Sequence, residues 1–269
     1  MNDITPIVDG LKKPFGVALE GDYLYITQWG DSATAGSGSV VRVNKRDVNS
    51  APVTIATGLG MPTAVAVDGE YVYTDTRADQ RLVVRVKKDG SAPAHHETIA
   101  SGLDDTGGVA VDGKFLYLTN VTSKIPPPPH DSVMKAKKDG SEATHPTVIA
   151  DSGVDRPAGM VMDGEYLYIT KLEDGSVARV KKVTSEPVTI ATGLDLPSGV
   201  AKDREYLYIT QDQAGSVVRA KKDGKDPSHH ETVATGLKDP RGVAVDGDDL
   251  YIVNVGTDSV VKVRMRVPA

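Results

Sequence analysis

The 269-residue chain contains no cysteine. That absence removes disulfides, thiolate metal sites and a cysteine nucleophile together, and leaves stability to packing. No apolar run approaches the ~18 residues that span a membrane. The start, MNDITPIVDG, lacks a basic segment followed by an apolar stretch. The expectation is a soluble chain, cytoplasmic or secreted after processing, with no membrane partner. Positive charge is also short. Against 37 Asp and Glu there are 31 Lys and Arg, a net charge of −6, which argues against nucleic acid as the partner. Apart from ten tyrosines the chain has two phenylalanines and one tryptophan, so an aromatic outside any repeated pattern stands out.

What is abundant is turn chemistry, with 27 glycines and 16 prolines, and it is periodic. A unit reading GL-x-x-P-x-G-V-A-V-D-G-x-Y-L-Y-I-T, then S-V-V-R-V-K-K-D-G-S, then T-I-A-T starts at Gly10, Gly58, Gly102, Gly153, Gly193 and Gly236. A period near 40 residues signals a repeat architecture. Each unit holds four short Val/Ile/Tyr-rich runs bounded by turn residues, which predicts four strands. Asp-Gly pairs such as Asp68-Gly69 and Asp163-Gly164 predict type I′ hairpins and hence an antiparallel meander. The sixth unit lacks its fourth strand, and Ile4 to Val8 matches that element. The expected fold is therefore all-β: a single domain over 1–269, a six-bladed β-propeller of four-stranded antiparallel blades, its ring closed by the N-terminal strand.

The L-Y-I-T and V-Y-T-D-T segments resemble the YWTD repeat, and P-x-G-V-A-V-D-G resembles the NHL and streptogramin-lyase repeats, over essentially the whole chain. The resemblance implies the propeller and leaves activity open, because this superfold hosts many functions.

Two columns hold all ten tyrosines: Tyr25, Tyr73, Tyr117, Tyr168, Tyr208 and Tyr251, and Tyr23, Tyr71, Tyr166 and Tyr206, with Phe115 and Asp249 completing the second. They are expected to pack blade on blade. A basic column, Arg42, Arg85, Lys135, Arg179, Arg219 and Lys262, is expected to be structural. Lysine pairs such as Lys87-Lys88 and Lys137-Lys138 are expected to make one face of the disc basic. His95-His96, His229-His230 and His145 fall on the outer parts of three blades and cannot converge on a metal. His130, in a Pro-rich loop, is either a spacer residue or an acid/base.

A single asymmetric ligand is read where the repeat varies, and loops converge at the channel mouth. The residue after the proline position reads Phe15, Thr63, Gly107, Ala158, Ser198, Arg241, and the residue ending the second strand reads Gln28, Thr76, Asn120, Lys171, Gln211, Asn254. Just beyond lie Trp29, Asp75 and Arg77. The candidate ligand-binding set is thus Phe15, Gln28, Trp29, Asp75, Thr76, Arg77, Asn120, Lys171, Gln211, Arg241 and Asn254. The loops from Gln28 to Ser39 and from Asn120 to Ser132 are candidate lids.

The architecture resembles metal-dependent lactonases of the gluconolactonase and regucalcin kind, whose ligand position after the proline carries Asn or Asp. That column here has neither, so no metal and no cofactor are expected. A lyase or hydrolase remains the alternative, with Lys171, Arg241, Asp75 and His130 as acid/base candidates. The favoured reading is a monomeric binding module for a small molecule, glycan or peptide. An aromatic wall of Phe15 and Trp29 beside Lys171 and Arg241 suits a planar body carrying an anionic group.

Overall fold

The computed structural model describes residues 3–31, 34–48, 50–78, 81–122, 131–144, 146–183 and 185–265. His130, His145 and most of the Asn120 to Ser132 loop lie outside the described residues. Among the described residues every sheet is a four-stranded antiparallel blade, and six of them form the ring. Blade 1 consists of Pro14–Glu20, Tyr23–Gln28, Gly38–Asn44 and Val53–Leu59, and blades 2 to 5 follow the same order. Blade 6 takes its first three strands from Pro240–Asp246, Asp249–Asn254 and Ser259–Arg264 and its outer strand from Ile4–Val8. Ile4 faces Val263 and Thr5 faces Lys262, and a bulge accommodates Pro6, which has no N–H to give to a ladder. No helix of the described residues is long and apolar enough to cross a membrane.

The core lies between blades, in clusters each shared by two neighbours. Tyr168 of blade 4, for example, packs with Val200, Leu207 and Ile209 of blade 5. The basic column lies across the second aromatic column. Arg42, Arg85, Arg179 and Arg219 sit 4.4–4.9 Å from the ring centres of Tyr23, Tyr71, Tyr166 and Tyr206, and Lys135 lies over Phe115 at 5.2 Å. Where blade 6 carries Asp249 in place of the ring, Lys262 pairs with its carboxylate at 3.9 Å instead. One column thus keeps a cation satisfied by either chemistry.

Two local expectations are corrected. The first hairpin in blades 1, 2, 4 and 6 turns on Gly-X rather than Asp-Gly. Asp68 pairs with Tyr71, and of the intervening residues only Gly69 has positive φ, at 52°. A two-residue turn with positive φ at its first centre alone is type II′, not I′. In blades 3 and 5 the aspartate itself caps the turn, Asp112 and Asp203 each accepting two backbone N–H bonds.

The lysine face is also not an open basic surface. The last lysine of each pair reaches the acidic turn residue of the preceding blade: Lys88 to Glu20, Lys138 to Asp68, Lys182 to Asp112 and Lys222 to Asp163. Burial pushes the Asp112 carboxyl up, but the N–H groups of Phe115 and Lys114, Lys182 and the Tyr117 hydroxyl outweigh it and hold it at about 2. A depressed carboxyl contributes stability that is present above its unfolded value of 3.8 and is lost as pH falls through its folded value. Asp112→Asn should therefore flatten the loss of thermal midpoint between pH 4 and pH 2. A slope equal to that of the wild type would contradict this assignment.

Candidate functional site

The innermost strands enclose a cavity of about 340 Å³ on the channel axis, within the range of small-molecule pockets. Glycine is what lets the inner strands close. A Cβ at Gly16 would come within 2.2 Å of the Thr63 carbonyl oxygen, and one at Gly199 within 2.2 Å of that of Arg241. In blades 1, 4, 5 and 6 the inner strand begins at the proline, whereas in blades 2 and 3 it begins only at Val65 and Val109. On that side Thr63, Ala64, Thr106, Gly107 and Gly108 form a loop wall instead of a strand.

The entry to five of the six inner strands, all but that of blade 3, is strained in the same way. The residues before the prolines, Lys13, Met61, Arg156, Leu196 and Asp239, all have φ of 45–53°, a conformation costly for a side chain with Cβ. The carbonyls of Lys13, Arg156, Leu196 and Asp239 accept N–H bonds from Trp29, Leu172, Asp212 and Val255, the residues just beyond the second strand. This turn carries the post-proline residue to the cavity wall, and all six of that column, Phe15, Thr63, Gly107, Ala158, Ser198 and Arg241, line it.

The second column does not line it. Gln28, Asn120, Gln211 and Asn254 each accept, at 2.6–2.8 Å, the backbone N–H of the residue sixteen positions earlier. Thr76 accepts the N–H of Leu82. Lys171 pairs with Asp174 and lies 4.0 Å from Asp155. These side chains clamp the entry loops. Because side chains alternate along a strand, the next position, 29 and its equivalents, turns towards the cavity, whereas 27 and its equivalents are absent from the cavity lining. Trp29, Arg77, Val121 and Leu172 accordingly line it.

Position 27 is threonine in four blades, and Thr27, Thr170 and Thr210 donate to a carbonyl of the next blade. In blade 2 the position is Asp75, fully buried. Its Oδ1 accepts the N–H groups of Thr63 and Ala64 at 2.7 and 2.8 Å, and its Oδ2 accepts the hydroxyls of Thr63 and Thr106 at 2.6 and 3.1 Å. Burial pushes this carboxyl up, against those four donors and the charge of Arg77. An acceptor-only group cannot donate to the next blade, so the two threonines supply the donors. Three departures from the repeat, Asp75, Thr63 and Thr106, thus meet at one point. Above them Arg77 makes a two-pronged pair with Asp105.

On the neighbouring arc, blades 1 and 6, Phe15 stacks on Trp29, ring centres 4.9 Å apart and planes 10° off parallel, and the Arg241 guanidinium lies 5.3 Å from the Phe15 centre. Arg241 is held by Asp212 at 2.6 Å and Asp239 at 2.8 Å. Burial, together with a hydrogen bond to Asp239, raises Asp212 to about 6 despite Arg241. Neither Lys171 nor Arg241 is therefore an open cation. The acid/base candidates Lys171, Arg241 and Asp75 are each engaged by protein groups. Among the described residues no group of three His, Cys, Asp or Glu is placed to hold a metal ion.

The sequence reading omitted Asp105 and Arg156, which line the cavity, and Asp212 and Asp239, which brace Arg241. Asp105, Arg156 and Asp239 occupy the pre-proline column, which varies from blade to blade as the chosen columns do. The same criterion applied one residue earlier finds them.

No protein-family model matches the chain, nor does any curated protein. Solved structures do. A gluconolactonase from Xanthomonas campestris superposes with TM-score 0.73 at 18% identity, covering 98% of this chain and 90% of that one. A protein in a nidogen/laminin complex gives 0.71 at 20%, covering 86% and 88%. A PQQ-bound aldose sugar dehydrogenase from Streptomyces coelicolor gives 0.71 at 15%, covering 99% of both chains. At these identities the likeness is one of fold, and the chain is a six-bladed β-propeller.

Proposed function

We propose that the channel mouth binds a small polar molecule with one planar or apolar face, a metabolite or a glycan unit, on the Trp29–Phe15–Arg241 stack. That stack on the wall of a 340 Å³ cavity open at its mouth carries the reading. An aromatic pair offers a stacking face, and the Nε1 of Trp29 is buried with no hydrogen-bond partner among the described residues. The pairs Arg77–Asp105 and Arg241–Asp212 offer donors and acceptors with their charges matched, which favours a neutral polar ligand at neutral pH. A volume of about 340 Å³ suits a small molecule better than a peptide segment.

The protein should retain a ligand from a mixed pool of metabolites and oligosaccharides after dialysis, read by native mass spectrometry. Phe15→Ala or Arg241→Ala should weaken retention by roughly tenfold. Arg179→Ala, on the outer side of blade 4, should leave it unchanged. Equal loss in Arg179→Ala, or no loss in either channel variant, would put the site elsewhere.

A further inference from the structure

Arg241 lies on the cavity wall against an aromatic ring, as an anion-binding guanidinium does, yet its anion seat is filled from within the chain. Asp212 occupies the position that in blades 1 and 2 carries the cavity-lining Trp29 and Arg77. Its carboxylate lies 2.6 Å from Arg241 Nη2, and that of Asp239 lies 2.8 Å from Nε, an ion-pair contact without hydrogen-bond geometry. Two carboxylates therefore share one guanidinium. The other charged group acting on Asp212 is again acidic, Asp195, in the turn leading into the inner strand of blade 5. With both aspartates ionised the trio is net negative, and an incoming anion meets repulsion as well as an occupied donor edge.

We propose that Asp212 is a built-in counter-ion of the channel mouth, and that an aromatic anion takes its place on Arg241 only when Asp212 carries a proton. A protonated Asp212 gains a donor, and the Asp239 carboxylate that shares Arg241 with it is the acceptor for that proton. The trio becomes neutral and the Nη2 edge of Arg241 is released. The ring of the incoming anion then lies beside Phe15 and Trp29, so stacking and a charge-assisted bond act together. The ligand class is a planar ring bearing a carboxylate, sulfonate or phosphate. This inference rests on the reading of the channel mouth as a small-molecule site. It makes the choice between neutral and anionic ligands a function of pH, with a midpoint near the Asp212 value of about 6.

The test uses benzenesulfonate, which stays anionic over the whole range, beside neutral benzyl alcohol, with binding read from the fluorescence of Trp29, the single tryptophan of the chain. Benzenesulfonate affinity should rise about thirtyfold from pH 7.5 to pH 5, as the competent fraction grows from a few per cent to nearly all. Benzyl alcohol affinity should not change. In Asp212→Asn the sulfonate should bind at pH 7.5 as well as it binds wild type at pH 5, with no pH dependence. If benzyl alcohol binds and the sulfonate gains nothing on acidification, the counter-ion role is overturned and the site stands. A full pH response in Asp212→Asn would assign the switch to another group. If neither probe binds at either pH, the small-molecule reading itself falls, and this inference with it.

Discussion

Removal of residues 1–9 should lower the thermal midpoint by about 10 °C or more and add a concentration-dependent self-association. The strand Ile4–Val8 completes blade 6 and buries Ile7, which is 4% exposed, in a cluster that joins Leu11 and Val17 of blade 1 to Tyr251, Val253 and Val260 of blade 6. Losing Ile7 costs roughly 1.5–3 kcal/mol of burial, and each ladder bond adds about 1 kcal/mol. The ring is also opened at its only seam made by chain ends distant in sequence. The newly bare strand, Ser259–Arg264, reads SVVKVR, and Val260, Val261 and Val263 are at most 5% exposed in the closed ring. Such an edge templates pairing with a second molecule. Thermal scans and light scattering decide it: a truncated protein with no added self-association and an unchanged midpoint would show that the strand does not hold the ring shut.

Asp75→Ala should cost about 3–5 kcal/mol, more than any single threonine-to-alanine change in the same column. It strands two backbone N–H groups and two hydroxyls in a site with no solvent, and each unpaired donor carries a penalty of about 1–3 kcal/mol, less what local relaxation recovers. Thr119→Ala, by contrast, strands only the two N–H groups of Gly107 and Gly108 and no hydroxyl, for about 2 kcal/mol. Asp75→Thr, which restores the residue of the other blades, should fall between, because one hydroxyl oxygen cannot accept four donors. Chemical denaturation of the three variants measures this directly. An Asp75→Ala protein as stable as wild type would mean that the four bonds contribute nothing net.

The ring, its blade count and its closing strand are legible in the sequence because each follows from period, alternation and turn residues, which are local properties. The aromatic and basic columns are legible for the same reason, down to Asp249 standing where a ring is missing. The site is less so. Gln28, Asn120, Gln211 and Asn254 vary as a ligand-reading column does, yet they point to the side of the strand away from the cavity, and a one-residue phase error is enough to exchange clamps for wall. Arg241 and Lys171 read as open cations because Asp212 and Asp155 come from loops distant in sequence, while Asp239 and Asp174, two and three positions away, fall outside the two candidate columns. The Asp75 cluster joins residues 12 and 31 positions apart across two blades, and only the superposition of three departures from the repeat marks it. The pre-proline backbone at positive φ has no sequence signal, since Lys13, Met61, Arg156, Leu196 and Asp239 share no chemistry.

The most direct measurement is a crystal structure of the protein soaked with benzyl alcohol, refined beside an unsoaked crystal. A small-molecule site on the Trp29–Phe15–Arg241 stack predicts ring density in the 340 Å³ cavity within stacking distance of that pair. An empty channel with the ligand ordered on the outer rim of the blades would contradict it.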